Sequence, residues 1–344
     1  MTSSFSRRLI HWQKTQGRHD LPWQNTKEAY RIWLSEIMLQ QTQVQTVKGY
    51  YERFLKRFPN LQILAEATED EVLALWSGLG YYSRARHLHQ AARWVVAKHQ
   101  GKFPESRLML ETLPGIGRST AAAICVFAFD AKEAILDGNV KRVLARHGGV
   151  RGYPGHPNPQ KALWALAEKR LPKKDLIAYT QGLMDLGASL CSRSRPQCDN
   201  CPVSQDCVAF KEGLTQELPE RKTPKALPQK TKICLIVLSP AGVLLEKRPS
   251  QGIWGGLWSL PEYEDTVDIE LICRQQFGIT NVPVKALKSI EHGFTHYKLT
   301  LLPIKVRLRK VALVNDPARW LKLSAVAEAP LPAPIKKLLL TLNP

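Results

Sequence analysis

Acidic residues are scarce in this 344-residue chain: 30 Asp and Glu face 49 Lys and Arg, a net charge of +19 that is spread along the sequence rather than gathered in one tail. Such a balance favours a polyanionic partner, nucleic acid before a membrane surface, because no cationic amphipathic anchor accompanies it. Long apolar runs are missing too. None approaches the roughly 20 residues needed to cross a bilayer, the longest candidates being broken by Ser239, Pro240 and Gly242. The basic stretch Met1 to Ile10 holds too short an apolar segment for a secretory signal, so a cytoplasmic, reducing location is expected. Internal repeats and low-complexity tracts are also absent, which excludes repeat architectures. The length exceeds one ordinary domain, and two are expected.

From about Tyr30 to Glu212 apolar residues recur at helical spacing, as in Trp33, Leu34, Ile37 and Met38 and again in Val72, Leu73, Leu75 and Trp76, which predicts an all-helical part. Gly78-Leu79-Gly80, Pro114-Gly115-Ile116-Gly117, Gly148-Gly149 and Pro154-Gly155 punctuate it as turns. Between Leu214 and Lys232 the chain becomes polar and bears Pro219, Pro224 and Pro228 with Arg221, Lys222, Lys225 and Lys230, the composition of an extended linker. Beyond it come short β-type runs, Ile233 to Leu238, Val243 to Leu245, Leu299 to Leu302 and Ile304 to Val306, with helical pieces near Ile269 to Phe277 and Ile335 to Leu342. The expected division is a helical domain over 1–215, a linker over 216–231 and an α+β domain over 232–344.

Four of the seven cysteines fall in one stretch, Cys191, Cys198, Cys201 and Cys207, spaced C-x6-C-x2-C-x5-C with Pro196 and Pro202 among them. Close spacing suits one tetrahedral metal centre, because four thiolates must converge while the loops between them stay short. Structural zinc and a [4Fe–4S] cluster both satisfy that chemistry. The unequal gaps lack the paired C-x2-C look of zinc ribbons and favour iron–sulfur. A disulfide pair or buried thiols would be the plainer reading, and it fits poorly with a missing secretory signal.

Leu113-Pro114-Gly115-Ile116-Gly117-Arg118-Ser119-Thr120 is a turn followed by a helix whose first N–H groups can hold a phosphate, since no side chain blocks the backbone at Gly115 and Gly117. Twenty residues after Gly117, Asp137-Gly138-Asn139 opens a helix carrying Lys141, Arg142 and Arg146. Asp137 alone would be an ordinary N-cap.

A helix–hairpin–helix, a Gly/Pro-rich loop, a single Asp and a four-cysteine loop, in that order, resemble the base-excision DNA glycosylase superfamily. The cysteine spacing is similar to its iron–sulfur loop over 191–207. Within the superfamily the chain most resembles the adenine-specific, MutY-type members, over nearly its whole length and including Trp33-Leu34-Ser35-Glu36-Ile37-Met38-Leu39-Gln40-Gln41-Thr42-Gln43-Val44. The resemblance implies a multidomain fold, an all-α helix–hairpin–helix domain with a [4Fe–4S] loop followed by an α+β Nudix-like domain. It also implies double-stranded DNA containing 8-oxoguanine·adenine or guanine·adenine mispairs as the partner, in a monomeric, bacterial-type, nucleoid-associated enzyme. Endonuclease III relatives share hairpin, Asp and cluster, but they place a nucleophilic lysine where this chain has Ser119. Without it no Schiff base forms by their route, which argues for a monofunctional glycosylase over a glycosylase/lyase for oxidised pyrimidines. A non-catalytic, redox-sensing iron–sulfur DNA-binding protein is the reading from another class.

Breaking an N-glycosidic bond to adenine needs a proton on the leaving purine and stabilisation of an oxocarbenium-like sugar. Glu36 lies among Trp33, Leu34, Ile37 and Met38, where desolvation raises a carboxyl pKa enough to keep a general acid protonated. Asp137, near helix N–H groups and basic residues, is expected to stay ionised and act at C1′. The resemblance gives Glu36 the protonation of adenine at N7, Asp137 the sugar, and Asn139 an assisting place. It puts Tyr81 and Leu79 by the opposite base with Gln41 and Thr42, and Trp23, Gln24 and Ser119 around adenine. Gly115, Gly117, Arg118, Lys141 and Arg142 are expected at the DNA backbone. Extruding the target nucleotide requires a wedge, and Gly78-Leu79-Gly80-Tyr81-Tyr82 offers an aromatic one.

In the second domain Gly256-Leu257-Trp258-Ser259-Leu260-Pro261-Glu262 resembles the first half of a Nudix box. Where metal-binding Nudix hydrolases carry R-E-x-x-E-E, this chain has Leu271-Ile272-Cys273-Arg274-Gln275-Gln276, and glutamines do not supply the charge Mg²⁺ demands. That disfavours a nucleotide pyrophosphatase and predicts a recognition module. Phe294-Thr295-His296-Tyr297 matches the family's F-S-H loop with Thr295 in place of Ser, its hydroxyl placed to bond the damaged base. Lys298 departs from a frequent histidine. Repair or replication proteins such as a sliding clamp are not legible in these residues.

Overall fold

The computed structural model describes residues 3–223, 226–280, 283–312 and 318–342. Pro224 and Lys225 of the expected linker lie outside the described residues. Contacts group the chain into two compact units, Met1–Glu66 with His87–Thr223, and Ala67–Arg86 with Pro224–Pro344.

Helices run in chain order as α1 (Ser4–Gln16), α2 (Ala29–Leu39), α3 (Val44–Arg57), α4 (Leu61–Glu66), α5 (Glu69–Trp76), α6 (Ser83–His99), α7 (Arg107–Glu111), α8 (Arg118–Phe129), α9 (Gly138–Gly148), α10 (Pro157–Arg170), α11 (Leu176–Ala188) and α12 (Val208–Lys211). Local chemistry sets their starts. Ser3 caps α1 by accepting from the Ser6 N–H, and Thr68 with Glu71 forms a capping box on α5. Proline sits in the first turn of α10, where its missing N–H costs nothing. The pair α7 and α8 with the turn between them is the helix–hairpin–helix. Gly115 occupies that turn at φ +77°, and a Cβ there would stand 2.9 Å from the Cβ of His87, so both backbone and space demand glycine. The helical core gathers Leu9, Val140, Leu144, Leu163, Tyr179 and Leu186. Gly182 lets α11 meet α1 closely, since a Cβ would lie 3.1 Å from Gln13 and 3.2 Å from Leu9.

The second unit holds a mixed sheet: β1 (Gln229–Ser239), β2 (Gly242–Lys247), β3 (Trp258–Ser259), β4 (Glu262–Glu264), β5 (Lys285–Ala286), β6 (Ile290–Gly293), β7 (Lys298–Arg307) and β8 (Ala318–Leu321), with α13 (Ile269–Phe277) and α14 (Ala333–Leu340). The central path is β3-β2-β1-β7-β5. β1 and β7 pair in parallel from Gln229↔Lys298 to Leu238↔Arg307; β1 is buried over Ile233–Leu238, whereas β7 alternates buried and half-exposed residues. β7 is one strand where the sequence predicts two runs, because Pro303 keeps its place opposite Cys234 while its carbonyl accepts from Leu287.

Two boundaries differ from the sequence expectation. The linker is shorter than 216–231, because the Leu218 carbonyl accepts from Arg146 at its start and β1 has begun by Gln229. Residues 67–86, expected within the helical domain, group with the C-terminal residues, because Asp70 on α5 accepts from Lys247 and Trp258.

Candidate active site

A cleft of about 860 Å³ opens in the helical unit, lined by Glu36 from α2, Asp137 and Asn139 from the start of α9, and Trp23, Gln24 and Thr42 from the flanking loops. Other apolar and polar side chains complete it, among them Asp130 and Asp175, which pair with Lys27 and Lys14. Glu36 sits on α2 between the buried Ser35 and Ile37. As a residue it keeps some surface toward the cleft, yet the surrounding protein withdraws its carboxyl from solvent. Burial first, and then the negative charge of Asp137, push it up to about 8.

Asp137 caps α9, its Oδ1 accepting from the Val140 N–H at 2.7 Å. Burial lifts its carboxyl above the ordinary value, opposed by the N–H groups of Val140 and Asn139 and by the charges of Arg142 and Lys141. The expected N–H groups and basic residues are in place and favour the carboxylate, while burial pulls the other way. Two carboxyl groups buried in one cleft do not both ionise easily, and the charge of Asp137 is one of the causes that hold the proton on Glu36. The N-cap role is real, and it leaves the second oxygen of Asp137 for other work.

Arg142, expected at the DNA backbone, is engaged within the protein: its guanidinium donates to Asn139 Oδ1 at 2.8 Å, to the Gly187 carbonyl at 2.6 Å and to the Cys191 carbonyl at 2.8 Å. It thereby fixes Asn139 against α11 and the cysteine loop. The contact is tight: a Cβ on Gly187 would lie 2.6 Å from the Cβ of Asn139. Arg118, also expected at the backbone, stacks its guanidinium 3.7 Å over the Trp164 ring and pairs with Glu168 at 2.5 Å. Lys141 is partly buried on α9. Gly117 caps α8 without a side-chain partner and with open space where a Cβ would stand, leaving the first N–H groups of α8 accessible.

Ser119 does not line the cleft; its Oγ accepts from the Leu136 N–H at 2.9 Å and so ties α8 to the loop that ends in Asp137. Gln24 lines the cleft, but its amide is spent on its own loop, accepting from Leu21 and donating to Arg18. Trp23 is buried edge-on against Tyr51, with ring centroids 5.4 Å apart. Gln41 is exposed at φ +57° and lies outside the cleft lining.

Sequence reasoning missed the polar wall opposite. Asp185 on α11 is 1% exposed and takes the Arg18 backbone N–H, the Arg18 guanidinium and the Gln181 amide at 3.0, 2.7 and 2.8 Å. Arg18 and Gln181 line the cleft. The available signal was Gln181 and Asp185 four apart on the same face as buried Leu residues, a polar pair where a helix should be apolar.

In the 67–86 segment Tyr81 is 46% exposed at φ +48°, whereas Leu79, expected beside it at the opposite base, is 6% exposed and faces inward. Arg84 organises the turn: it donates to the Leu79 and Gly80 carbonyls at 3.3 and 3.1 Å, with the Trp76 and Tyr81 rings 5.4 and 5.6 Å from its guanidinium carbon. In the sheet unit, Thr295 is exposed and its hydroxyl lies 3.3 Å from His296 Nδ1. The Phe294 ring packs on Trp254, His292 and Tyr297 at 5.4, 4.6 and 4.9 Å. Glu262, the acid of the partial Nudix box, is paired with Arg248 at 2.5 Å.

Cys191, Cys198, Cys201 and Cys207 line one small cavity, and none of the four is in a disulfide. Among the described residues no set of three or more His, Cys, Asp or Glu side chains stands in ligating geometry. The donor set nonetheless fits a thiolate-held group. Arg146, 3% exposed, donates to Cys191 Sγ at 3.4 Å and to the Ser192 and Arg193 carbonyls at 2.7 and 3.1 Å. Such N–H···S bonds stabilise ligated thiolates, as outer partners of a metal do.

Residues 34–169 match the HhH-GPD superfamily of base excision DNA repair proteins, and residues 233–341 match the NUDIX domain. An adenine DNA glycosylase of Buchnera aphidicola subsp. Schizaphis graminum is 36% identical over 97% of this chain and 97% of its own. The human adenine DNA glycosylase is 33% identical over 93% of this chain and 70% of its own. Among solved structures, a thermostable thymine-DNA glycosylase superposes with a TM-score of 0.56 at 31% identity, over 60% of this chain and 95% of its own. Among the described residues no helix is long and apolar enough to cross a membrane.

Proposed function

The chain belongs to the adenine DNA glycosylases, base-excision repair enzymes that hydrolyse N-glycosyl bonds in DNA, and from that premise we propose that it removes undamaged adenine paired with 8-oxoguanine or guanine. The observation that carries the proposal is the pair of carboxyl groups with raised pKa values in one cleft. Glu36, protonated at neutral pH, gives its proton to N7 of adenine as the C1′–N9 bond breaks and the electron pair leaves with the base. Asp137, whose carboxylate is favoured by the N–H groups of Val140 and Asn139 and by the charges of Arg142 and Lys141, stabilises the positive sugar or bonds it transiently at C1′. Water then adds at C1′ and returns a proton to the site. Asn139, held by Arg142, keeps the start of α9 at a fixed depth. Arg18, Asp185 and Gln181 form a fixed polar wall suited to hold an extruded base.

Ser119, with its hydroxyl engaged by Leu136, offers no amine, which supports simple hydrolysis without strand cleavage. Cys191, Cys198, Cys201 and Cys207 would hold a [4Fe–4S] cluster. Its contribution when bound is four covalent ties on the loop that Arg142 and Arg146 reach from α9. The accessible N–H groups at Gly117 and the cation excess hold the DNA backbone. Tyr81 enters the duplex by the base opposite adenine, and Phe294, Thr295 and His296 read 8-oxoguanine. The enzyme works as a monomer in the cytoplasm, on nucleoid DNA. The test is incubation with 8-oxoguanine·adenine, guanine·adenine and thymine-glycol duplexes, scored separately for free base and for strand breaks. Free adenine without breaks is expected; thymine-glycol release with breaks would overturn the proposal.

A further inference from the structure

The stretch Gly256–Glu262 resembles half of a Nudix box yet has no catalytic partner run, and its contacts give it another use. Its residues and their neighbours receive helix α5. Asp70 on α5 accepts from Lys247 Nζ at 2.8 Å and from Trp258 Nε1 at 2.8 Å, with Arg319 at 3.8 Å. Arg319 and Lys247 in turn cover the Trp258 ring, 3.9 and 5.6 Å from its centroid. Gly256 makes room for the helix: a Cβ there would lie 3.0 Å from Glu69 Oε1 and 3.4 Å from Leu73 Cδ1. Past the helix, Ser77 donates to the Leu331 carbonyl at 2.9 Å and Arg86 donates to the Gly255 carbonyl. The turn so framed, Gly78 to Tyr82, is the one that presents Tyr81. It is braced internally by Trp76 Nε1 on the Gly80 carbonyl at 3.2 Å and by the Gly78 N–H on the Tyr82 hydroxyl at 3.2 Å.

We propose that Asp70 is a positioning residue which, through Lys247, Trp258 and Arg319, fastens the Tyr81 turn to the Nudix-like domain, so that one body carries both the wedge and the 8-oxoguanine-reading loop. The partial Nudix box is then a socket for α5 in place of a metal site. The idea rests on the functional reading of Tyr81 and of the Phe294–His296 loop. Its physical content is registry. A wedge entering beside the opposite base and a loop touching that same base must agree in position, and a shared charge clasp supplies the agreement that two separately mobile segments would lack.

The experiment compares full-length wild type with Asp70→Ala, Lys247→Ala, Phe294→Ala/Thr295→Ala and the combination of Asp70→Ala with Phe294→Ala/Thr295→Ala. Active sites are titrated so that only correctly folded enzyme counts. Single-turnover adenine release is measured on 8-oxoguanine·adenine and guanine·adenine duplexes, and 2-aminopurine beside the opposite base reports insertion of Tyr81. Asp70 and its cationic partners have side chains 28%, 34% and 38% exposed, so cutting the clasp leaves no fully buried charge and folding should survive. Loss of charge-assisted bonds should lower the 8-oxoguanine preference roughly tenfold in both clasp variants. The fluorescence change should shrink, as it should in a Tyr81→Ala control measured alongside, and the combined variant should lose less than the product of its parts. A merely structural Asp70 would lower the melting temperature and the active fraction while leaving the preference and the fluorescence at wild-type values, and that result overturns the proposal. If Phe294→Ala/Thr295→Ala keeps the full preference while Asp70→Ala loses it, the loop's reading fails and the clasp stands, acting through Tyr81.

Discussion

Replacing Glu36 by Gln should damage catalysis and improve stability, and the two effects can be followed separately. General-acid catalysis contributes about 10²–10⁴-fold, so adenine release should fall by that much while duplex affinity holds. The stability effect follows from the carboxyl being held at about 8 in the folded chain against 4.5 ordinarily. A raised carboxyl pKa means the unfolded chain releases its proton first as pH climbs. Stability is therefore whole below the ordinary value, declines by up to about 1.4 kcal/mol per pH unit through the window between the two, and levels off above the folded value. The whole window amounts to on the order of 5 kcal/mol as an upper bound, reduced by water in the cleft and by coupling to Asp137. Gln does not titrate. The stability difference between Glu36→Gln and wild type should thus widen with pH from about 5 to 8, by up to roughly 3–6 °C in melting temperature per pH unit for a unit of this size. Scanning calorimetry at unit pH steps, paired with single-turnover release and binding, checks both halves. A difference that stays flat with pH would refute the buried, proton-holding carboxyl, and a variant with ordinary turnover would remove Glu36 from the reaction.

The wild-type rate should be bell-shaped in pH, its alkaline limb near 8 where Glu36 loses its proton and its acid limb at the raised value of Asp137; a rate still climbing at pH 9 contradicts the assignment. Asp137→Asn should keep the cap on α9, and so most of its stability, while losing adenine release, whereas Asp137→Ala should lose about 1 kcal/mol as well; unfolding of the Asn variant would point to the cap alone. Borohydride should trap little covalent enzyme–DNA adduct, and efficient trapping would identify an amine nucleophile other than position 119. Anaerobically purified protein should carry about four irons per chain, and zinc without iron would exclude the cluster.

The sequence made the helical and α+β parts legible because apolar period is a local signal, and it made the cysteine loop legible because four thiols in one short stretch have few uses. Glu36 stood out only in company: its apolar neighbours allow a raised carboxyl, and the resemblance of the surrounding stretch to MutY-type glycosylases gave it a role. What escaped depends on tertiary contact. Arg142 looks like a phosphate ligand on a helical wheel, and only the approach of Gly187 and Cys191 turns it inward. Arg18, Asp185 and Gln181 are far apart in sequence and form one polar wall only when α11 packs beside the loop after α1. Residues 67–86 read as ordinary helical sequence, since nothing local marks Asp70 as the partner of residues near Lys247, Trp258 and Arg319.

The separation between Asp70 and Trp258, 188 residues along the chain, also places a delay in biosynthesis. At about 5–20 residues per second a ribosome needs roughly 10–40 s between making the first and the second. During that interval α5 has emerged with its acidic face and no cationic socket to receive it, while helices on either side of it in sequence can already collapse together. The turn bearing Tyr81 is therefore among the last features to settle, and a nascent or prematurely ended chain cannot anchor it.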